Sequence, residues 1–202
     1  MAQPIRIIGI PASQNVRKPL AVAAHLGIAV ENAGVFPQDP MVKEKNPAGR
    51  IPVMEEDGFR LGESNAIMIY LASKKPNALY PDDPKTRALV NQYLFWDVAH
   101  WTPAYGPIQF ERLVKRILNL GEPDEAVIAA TLVKFAREAA YLNAALEGRD
   151  WLVGSGPTLA DFAVGAGLTH ADAIDLPYKD YPNIRAFNAR VKDLDGFKKT
   201  AG

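Results

Sequence analysis

The chain has 202 residues, of which 48% are hydrophobic, and its 23 basic residues balance 23 acidic ones to a formal net charge of +0. Such a composition supports a sizeable core in one large domain or two small ones, and gives no general electrostatic attraction for nucleic acid or an anionic membrane. The absence of Cys excludes disulfides, thiolate metal sites and a protein thiol nucleophile, so any sulfur chemistry must arrive with a ligand. His25, His100 and His170 are not spaced as metal ligands. Residues 1–10 lack a basic segment followed by a long apolar one, and no stretch has the length of a membrane span, so a cytoplasmic location is expected.

In chain order, Ile5, Ile7, Ile8 and Ile10 form a β-branched run ending at Pro11, the pattern of a buried strand. Val16, Leu20, Ala23 and Gly27 then recur at helical spacing, and a second strand is expected around Ala29 to Phe36, giving a β-α-β unit. Residues 37–50 are polar and rich in turn formers. Val53-Met54-Glu55 and Phe59-Arg60-Leu61 bracket Glu56-Asp57-Gly58, an Asp-Gly hairpin signal. Ser64 is positioned to cap a helix running to about Ser73. Pro76 to Pro84 contains three prolines and two aspartates and reads as a stiff linker.

Beyond the linker the pattern is helical. One helix is expected from Thr86 to about Leu120, a second from Glu125 to Leu146 with a core face of Ile128, Leu132, Phe135, Ala139, Leu142 and Leu146, a third from Leu159 to about Ala173, and a last from Ile184 to about Leu194. The third opens on Thr158 and Asp161, which form a capping box: each side chain satisfies a backbone donor of the other's turn. Pro157 and Phe162 occupy the positions of a hydrophobic staple across it.

Chemistry concentrates at three places. Pro11 to Lys18 opens the first helix with Ser13 and Asn15, either of which could aim a polar hydrogen at an anion, although a Ser there is also a plain cap. Pro52 stands between Ile51 and a hairpin strand, where a cis peptide is the alternative to an edge position. In the long helix Trp96, His100, Pro103, Pro107 and Phe110 step by four and three, an aromatic stripe holding an imidazole that Asp97 could orient.

The segment Asn46-Pro47-Ala48-Gly49-Arg50-Ile51-Pro52-Val53, followed by Gly62-Glu63-Ser64-Asn65-Ala66-Ile67 and about a hundred residues later by the capping box, resembles the soluble glutathione transferases, and among them theta-like and bacterial members. The resemblance covers nearly the whole chain. It implies a thioredoxin-like α/β domain over 1–76, a linker at 77–85 and an all-helical domain over 86–202. It also implies a homodimer that binds reduced glutathione without metal or other cofactor and adds its thiolate to a small apolar electrophile. In such a protein Ile51-Pro52 is cis and Val53 offers its backbone to the cysteinyl part. Glu63 and Ser64 take the γ-glutamyl end, Arg50 lies beside the glycyl end, and Ser13 or Asn15 activates the thiol. His100 reaches toward the sulfur, while Trp96, Trp101, Pro103 and Tyr105 wall the electrophile pocket or meet the second subunit. A glutathione-dependent peroxidase or disulfide reductase, or a family member that binds without turnover, are the alternatives.

Overall fold

The computed structural model describes residues 4–200; residues 1–3, which belong to the stretch read above for a leader, lie outside them. The chain divides into two compact units, residues 4–83 with 192–200, and Pro84–Val191.

In the first unit, strands β1 (Ile5–Ile8), β2 (Val30–Ala33), β3 (Val53–Glu56) and β4 (Phe59–Leu61) form one sheet in the order β2-β1-β3-β4. β1 runs parallel to β2, with Ile5 opposite Val30, and antiparallel to β3, with Ile8 opposite Val53. Its central place explains the unbroken apolar run: Ile5, Ile7 and Ile8 are all buried. The β1–β2 crossover is helix α1 (Gln14–Leu26), which ends where Gly27 takes φ 64° and its N–H returns to the helix carbonyls. The β3–β4 turn uses Asp57 and Gly58, both at positive φ, the geometry an Asp-Gly hairpin requires. Helix α2 (Pro40–Lys45) occupies the segment read as turns. Asp39 caps it by accepting from Met41 N–H at 2.8 Å, with Pro40 in the first turn. At six residues it is too short for periodicity to reveal. Helix α3 (Ser64–Ser73) closes the α/β part.

The second unit is helical. The long helix expected from 86 to 120 is interrupted: α4 (Pro84–Trp96), a π turn at Asp97–Trp101, α5 (Thr102–Gln109), a second π turn at Phe110–Val114 and α6 (Lys115–Leu118). Pro103 and Pro107 lack the N–H that the ladder needs, and the chain accommodates them by shifting register, with Thr102 N–H returning to Asp97 instead. Helix α7 (Glu125–Ala145) buries Ile128, Phe135, Ala139 and Leu142, four of the six residues of its expected core face, and Leu146 just beyond it is buried too. Helix α8 (Leu159–Leu168) is buried on every side, as a helix at the centre of a bundle must be. It stops five residues short of the expected Ala173 because Thr169 turns its hydroxyl back onto the Ala166 carbonyl and the following amides tighten to the third residue back. Helix α9 (Pro182–Asp193) follows, and Gly165 lets it approach α8: a Cβ there would lie 2.7 Å from Val191.

The helical domain was expected to run to residue 202, yet helix α10 (Asp195–Lys199) packs against α1 in the first unit. Gly196 makes this possible, since any Cβ would collide with the Ala21 carbonyl.

Candidate functional site

The end of β1 brings two of the candidate segments together. Gly9 sits at φ 143°, a conformation side chains rarely adopt, and a Cβ on it would lie 2.6 Å from Val16 and 3.0 Å from Ile51. The glycine therefore lets the first turn of α1 and the segment before Pro52 close on the same strand end. Asn32 locks that end by donating to the carbonyls of Ile7 at 2.9 Å and Gly9 at 3.0 Å. The Ile51-Pro52 peptide is cis, and Val53 begins β3 with its side chain buried against Ile8 and Val42.

Ser13 occupies the N-cap position of α1, and its carbonyl accepts from Val16 and Arg17 N–H. Its hydroxyl makes no cap hydrogen bond. The side chain is half-buried, as is that of Asn15 on the first turn. A plain cap would have committed the hydroxyl to the helix; here that commitment is absent.

The loop before the cis bond is shaped by Asn46, which accepts from Ala48 N–H at 3.1 Å and donates to the Arg50 carbonyl at 2.9 Å. Gly62 faces the Asn46 amide, a Cβ there coming within 3.6 Å, so the Asn46–Arg50 loop stands beside the start of α3. Arg50 itself is exposed. Ser64 was expected to cap α3, but it is the first helical residue and is buried; Glu63 holds the cap position, makes no side-chain cap bond, and is held at φ 63° and ψ 114°. That backbone is strained for a residue with a side chain and is a feature of sites where the surrounding structure imposes it. It leaves an exposed carboxylate immediately before the amides of the α3 N-terminus.

In the helical unit the aromatic stripe is not a core face. His100, Pro103 and Phe110 are exposed and Trp96 and Pro107 half-buried, while the buried face runs through Tyr93, Leu94, Asp97, Trp101, Tyr105 and Ile108. Trp101 and Tyr105, expected to wall a pocket or meet a second subunit, are 0% and 1% exposed. Trp101 donates to the Val164 carbonyl at 3.0 Å and packs between Trp96, Tyr105 and Phe135. Both have no surface left to offer and are core residues of this unit. Asp97, expected to orient His100, is buried and accepts from the Thr102 hydroxyl at 2.9 Å.

The capping box forms as read. Thr158 donates to Asp161 from its N–H at 2.7 Å and its hydroxyl at 3.1 Å. A third donor, Leu152 N–H at 2.9 Å, comes from nine residues upstream, a contact no local pattern shows. Burial pushes the Asp161 carboxyl up to about 6, opposed by the backbone hydrogen bonds of Leu152 and Thr158.

Gly9 and Asn46 are the site residues that sequence reasoning passed over. For Asn46 the signal was present, an Asn followed by Pro in a turn, whereas the need for Gly9 arises only from a contact across the sheet end. Among the described residues no three His, Asp or Glu side chains are placed to hold a metal ion, and no helix is long and apolar enough to cross a membrane.

A four-stranded sheet entered by a β-α-β unit and carrying a cis-proline before its third strand, followed by a helical unit, defines a thioredoxin-like domain joined to a helical domain. Two family models match it: the N-terminal domain of glutathione S-transferase over residues 7–79 and the C-terminal domain over 99–195. The chain is 34% identical over 142 residues to glutathione S-transferase D7 of Drosophila melanogaster, a match covering 69% of this chain and 60% of that protein. It is 29% identical over 199 residues to the probable glutathione S-transferase GSTF2 of Oryza sativa subsp. japonica, covering 91% of this chain and 89% of that protein. The crystal structure of a theta class glutathione S-transferase from Xanthomonas axonopodis pv. citri with glutathione bound superposes with a TM-score of 0.89 at 27% identity, covering 98% of this chain and 97% of that one. The chain belongs to the glutathione S-transferase family, a family of enzymes, and glutathione conjugation is the activity that membership supports.

Proposed function

We propose that the first unit binds reduced glutathione and lowers the pKa of its thiol through Ser13, with Asn15 as the alternative donor, and that the thiolate then attacks a small apolar electrophile. The observation that carries this reading is the Ser13 hydroxyl, at the mouth of α1 and uncommitted to its cap, on the strand end that Gly9 shares with Ile51. A free thiol with a pKa of about 8.5 is only a few per cent ionised at neutral pH. A hydroxyl donor reinforced by the amides of α1 favours the anion, and a shift of two units would be worth about 2.7 kcal/mol. The thiol proton leaves to solvent, the sulfur lone pair forms the carbon–sulfur bond, and the electrophile's leaving group, where there is one, departs with its electron pair.

In this reading the backbone of Val53 holds the cysteinyl part, Glu63 pairs with the γ-glutamyl ammonium, Ser64 and the α3 amides take its carboxylate, and Arg50 serves the glycyl end. On the helical unit, His100, Trp96 and Pro103 are the candidate residues that keep exposed or half-buried surface for a co-substrate. Trp101 and Tyr105 support them from the core. The protein acts as a cytoplasmic homodimer.

The test is an ultraviolet titration of bound glutathione in the parent, Ser13→Ala and Asn15→Ala, with a chloronitrobenzene and a hydroperoxide as co-substrates. Ser13→Ala is expected to raise the bound thiol pKa by one to two units, which from a parent value near 6.5 lowers the thiolate at neutral pH by roughly threefold to twenty-fivefold. An unchanged pKa in both variants would overturn the assignment, and turnover of peroxide alone would replace conjugation with peroxidase chemistry.

A further inference from the structure

Helix α1 begins without the local devices that normally hold a helix start. Ser13 makes no side-chain cap bond and the first turn contains no acidic residue. Pro19, inside the helix, has no N–H to return to the carbonyl of Asn15, so the opening turn also loses a ladder bond. A start so weakly held by its own residues should fray, yet it carries the hydroxyl on which the proposed chemistry depends.

Beyond the packing of Val16 at the strand end, a further hold comes from the other end of the chain. Arg17, whose N–H donates to the Ser13 carbonyl at 2.8 Å, extends its guanidinium to the Phe197 carbonyl at 3.1 Å and lies over the Phe197 ring at 5.4 Å from its centre. Phe197 is buried in α10, and Gly196 beside it seats that helix directly on the Ala21 carbonyl of α1. We infer that α10 is a positioning element for thiol activation: Phe197 holds Arg17, Arg17 holds the first turn of α1, and the Ser13 hydroxyl is thereby kept in place without being spent on a cap. The inference rests on Ser13 as the activating group. It assigns the C-terminal helix a role at the glutathione end of the reaction, and makes Arg17 and Phe197 positioning residues.

The experiment compares the full-length parent with Arg17→Met, Phe197→Ala, Phe197→Tyr and Ser13→Ala, measuring the ultraviolet titration of bound reduced glutathione, its dissociation constant, and far-ultraviolet circular dichroism. Arg17→Met keeps the aliphatic stem and loses the donor; Phe197→Tyr keeps the ring and the backbone carbonyl. Arg17→Met and Phe197→Ala are expected to raise the bound thiol pKa by about one unit, roughly threefold less thiolate at neutral pH if the parent value lies near 6.5, with helical content unchanged and glutathione affinity within about threefold of the parent, and Phe197→Tyr to match the parent. A role confined to stability would leave that pKa where it was. If Ser13→Ala raises the pKa while Arg17→Met and Phe197→Ala do not, the positioning role is wrong and the activation reading stands. If Ser13→Ala changes nothing, the activation reading fails and takes this inference with it. Should Phe197→Ala not fold, Arg17→Met decides alone.

Discussion

Gly9 shows how much of a site one missing side chain can organise. Alanine there would need both a backbone at φ 143° and room that Val16 and Ile51 already occupy. Neither neighbour is the free end of a flexible chain, because both are β-branched residues packed beside a sheet. Gly9→Ala should therefore destabilise the protein by roughly 2–4 kcal/mol in urea unfolding, and displace the α1 turn relative to the cis-proline segment. Glu63 offers the opposite case. Its strained backbone at φ 63° should make Glu63→Gly about 1 kcal/mol more stable in the same assay, while glutathione, if its ammonium pairs with this carboxylate, binds several-fold more weakly by calorimetry. A variant that gained neither stability nor a weaker affinity would remove Glu63 from the site.

Among the elements, α8 depends on a carboxylate with no access to water. The Asp161 carboxyl rises from 3.8 to about 6 on folding, so the native state binds its proton more tightly than the unfolded chain does. The sign follows: the contribution of this group to stability is most favourable below the unfolded value, declines as pH rises through the window between the two, and is lower by about 3 kcal/mol above pH 6. The stability of the parent relative to Asp161→Asn should accordingly fall between pH 4 and pH 7 in urea titrations, whatever its absolute size. A gap that widened over that range would mean that the three donors outweigh burial. Glu111 behaves inversely. The hydrogen bond from Lys115 at 2.5 Å, and then the one from Asp124 N–H at 2.7 Å, hold its carboxyl below the usual range and tie the second π turn to the start of α7. Its contribution is complete at neutral pH and is lost as pH falls through the acid range, so Glu111→Gln should destabilise at pH 7 and progressively less in acid.

For the whole molecule, the proposed homodimer has a direct readout. Phe95 on α4 is 72% exposed in the single chain, an unusual exposure for so large an apolar side chain. If α4 is a dimer face, Phe95→Glu should shift sedimentation from dimer to monomer at micromolar concentration without loss of circular dichroism. A parent that sediments as a monomer would overturn the proposal outright.

What residue order determined unaided was everything carried by short-range chemistry. The β-branched run at Ile5 to Ile10, the Asp57-Gly58 turn, the α7 core face and the Thr158–Asp161 box each follow from a few neighbouring side chains, so each was legible and each formed. The motifs around Pro52 and Glu63 were legible as well, because a turn and a helix start have local signatures. Tertiary structure decided what depends on two distant segments meeting in space. The burial of Trp101 and Tyr105 rather than the Pro103 stripe followed from π turns whose register no periodicity predicts. The seat of α10 on α1, the third donor to Asp161 and the need for glycine at residue 9 are contacts between residues far apart in the chain, and only packing brings such residues within reach of one another.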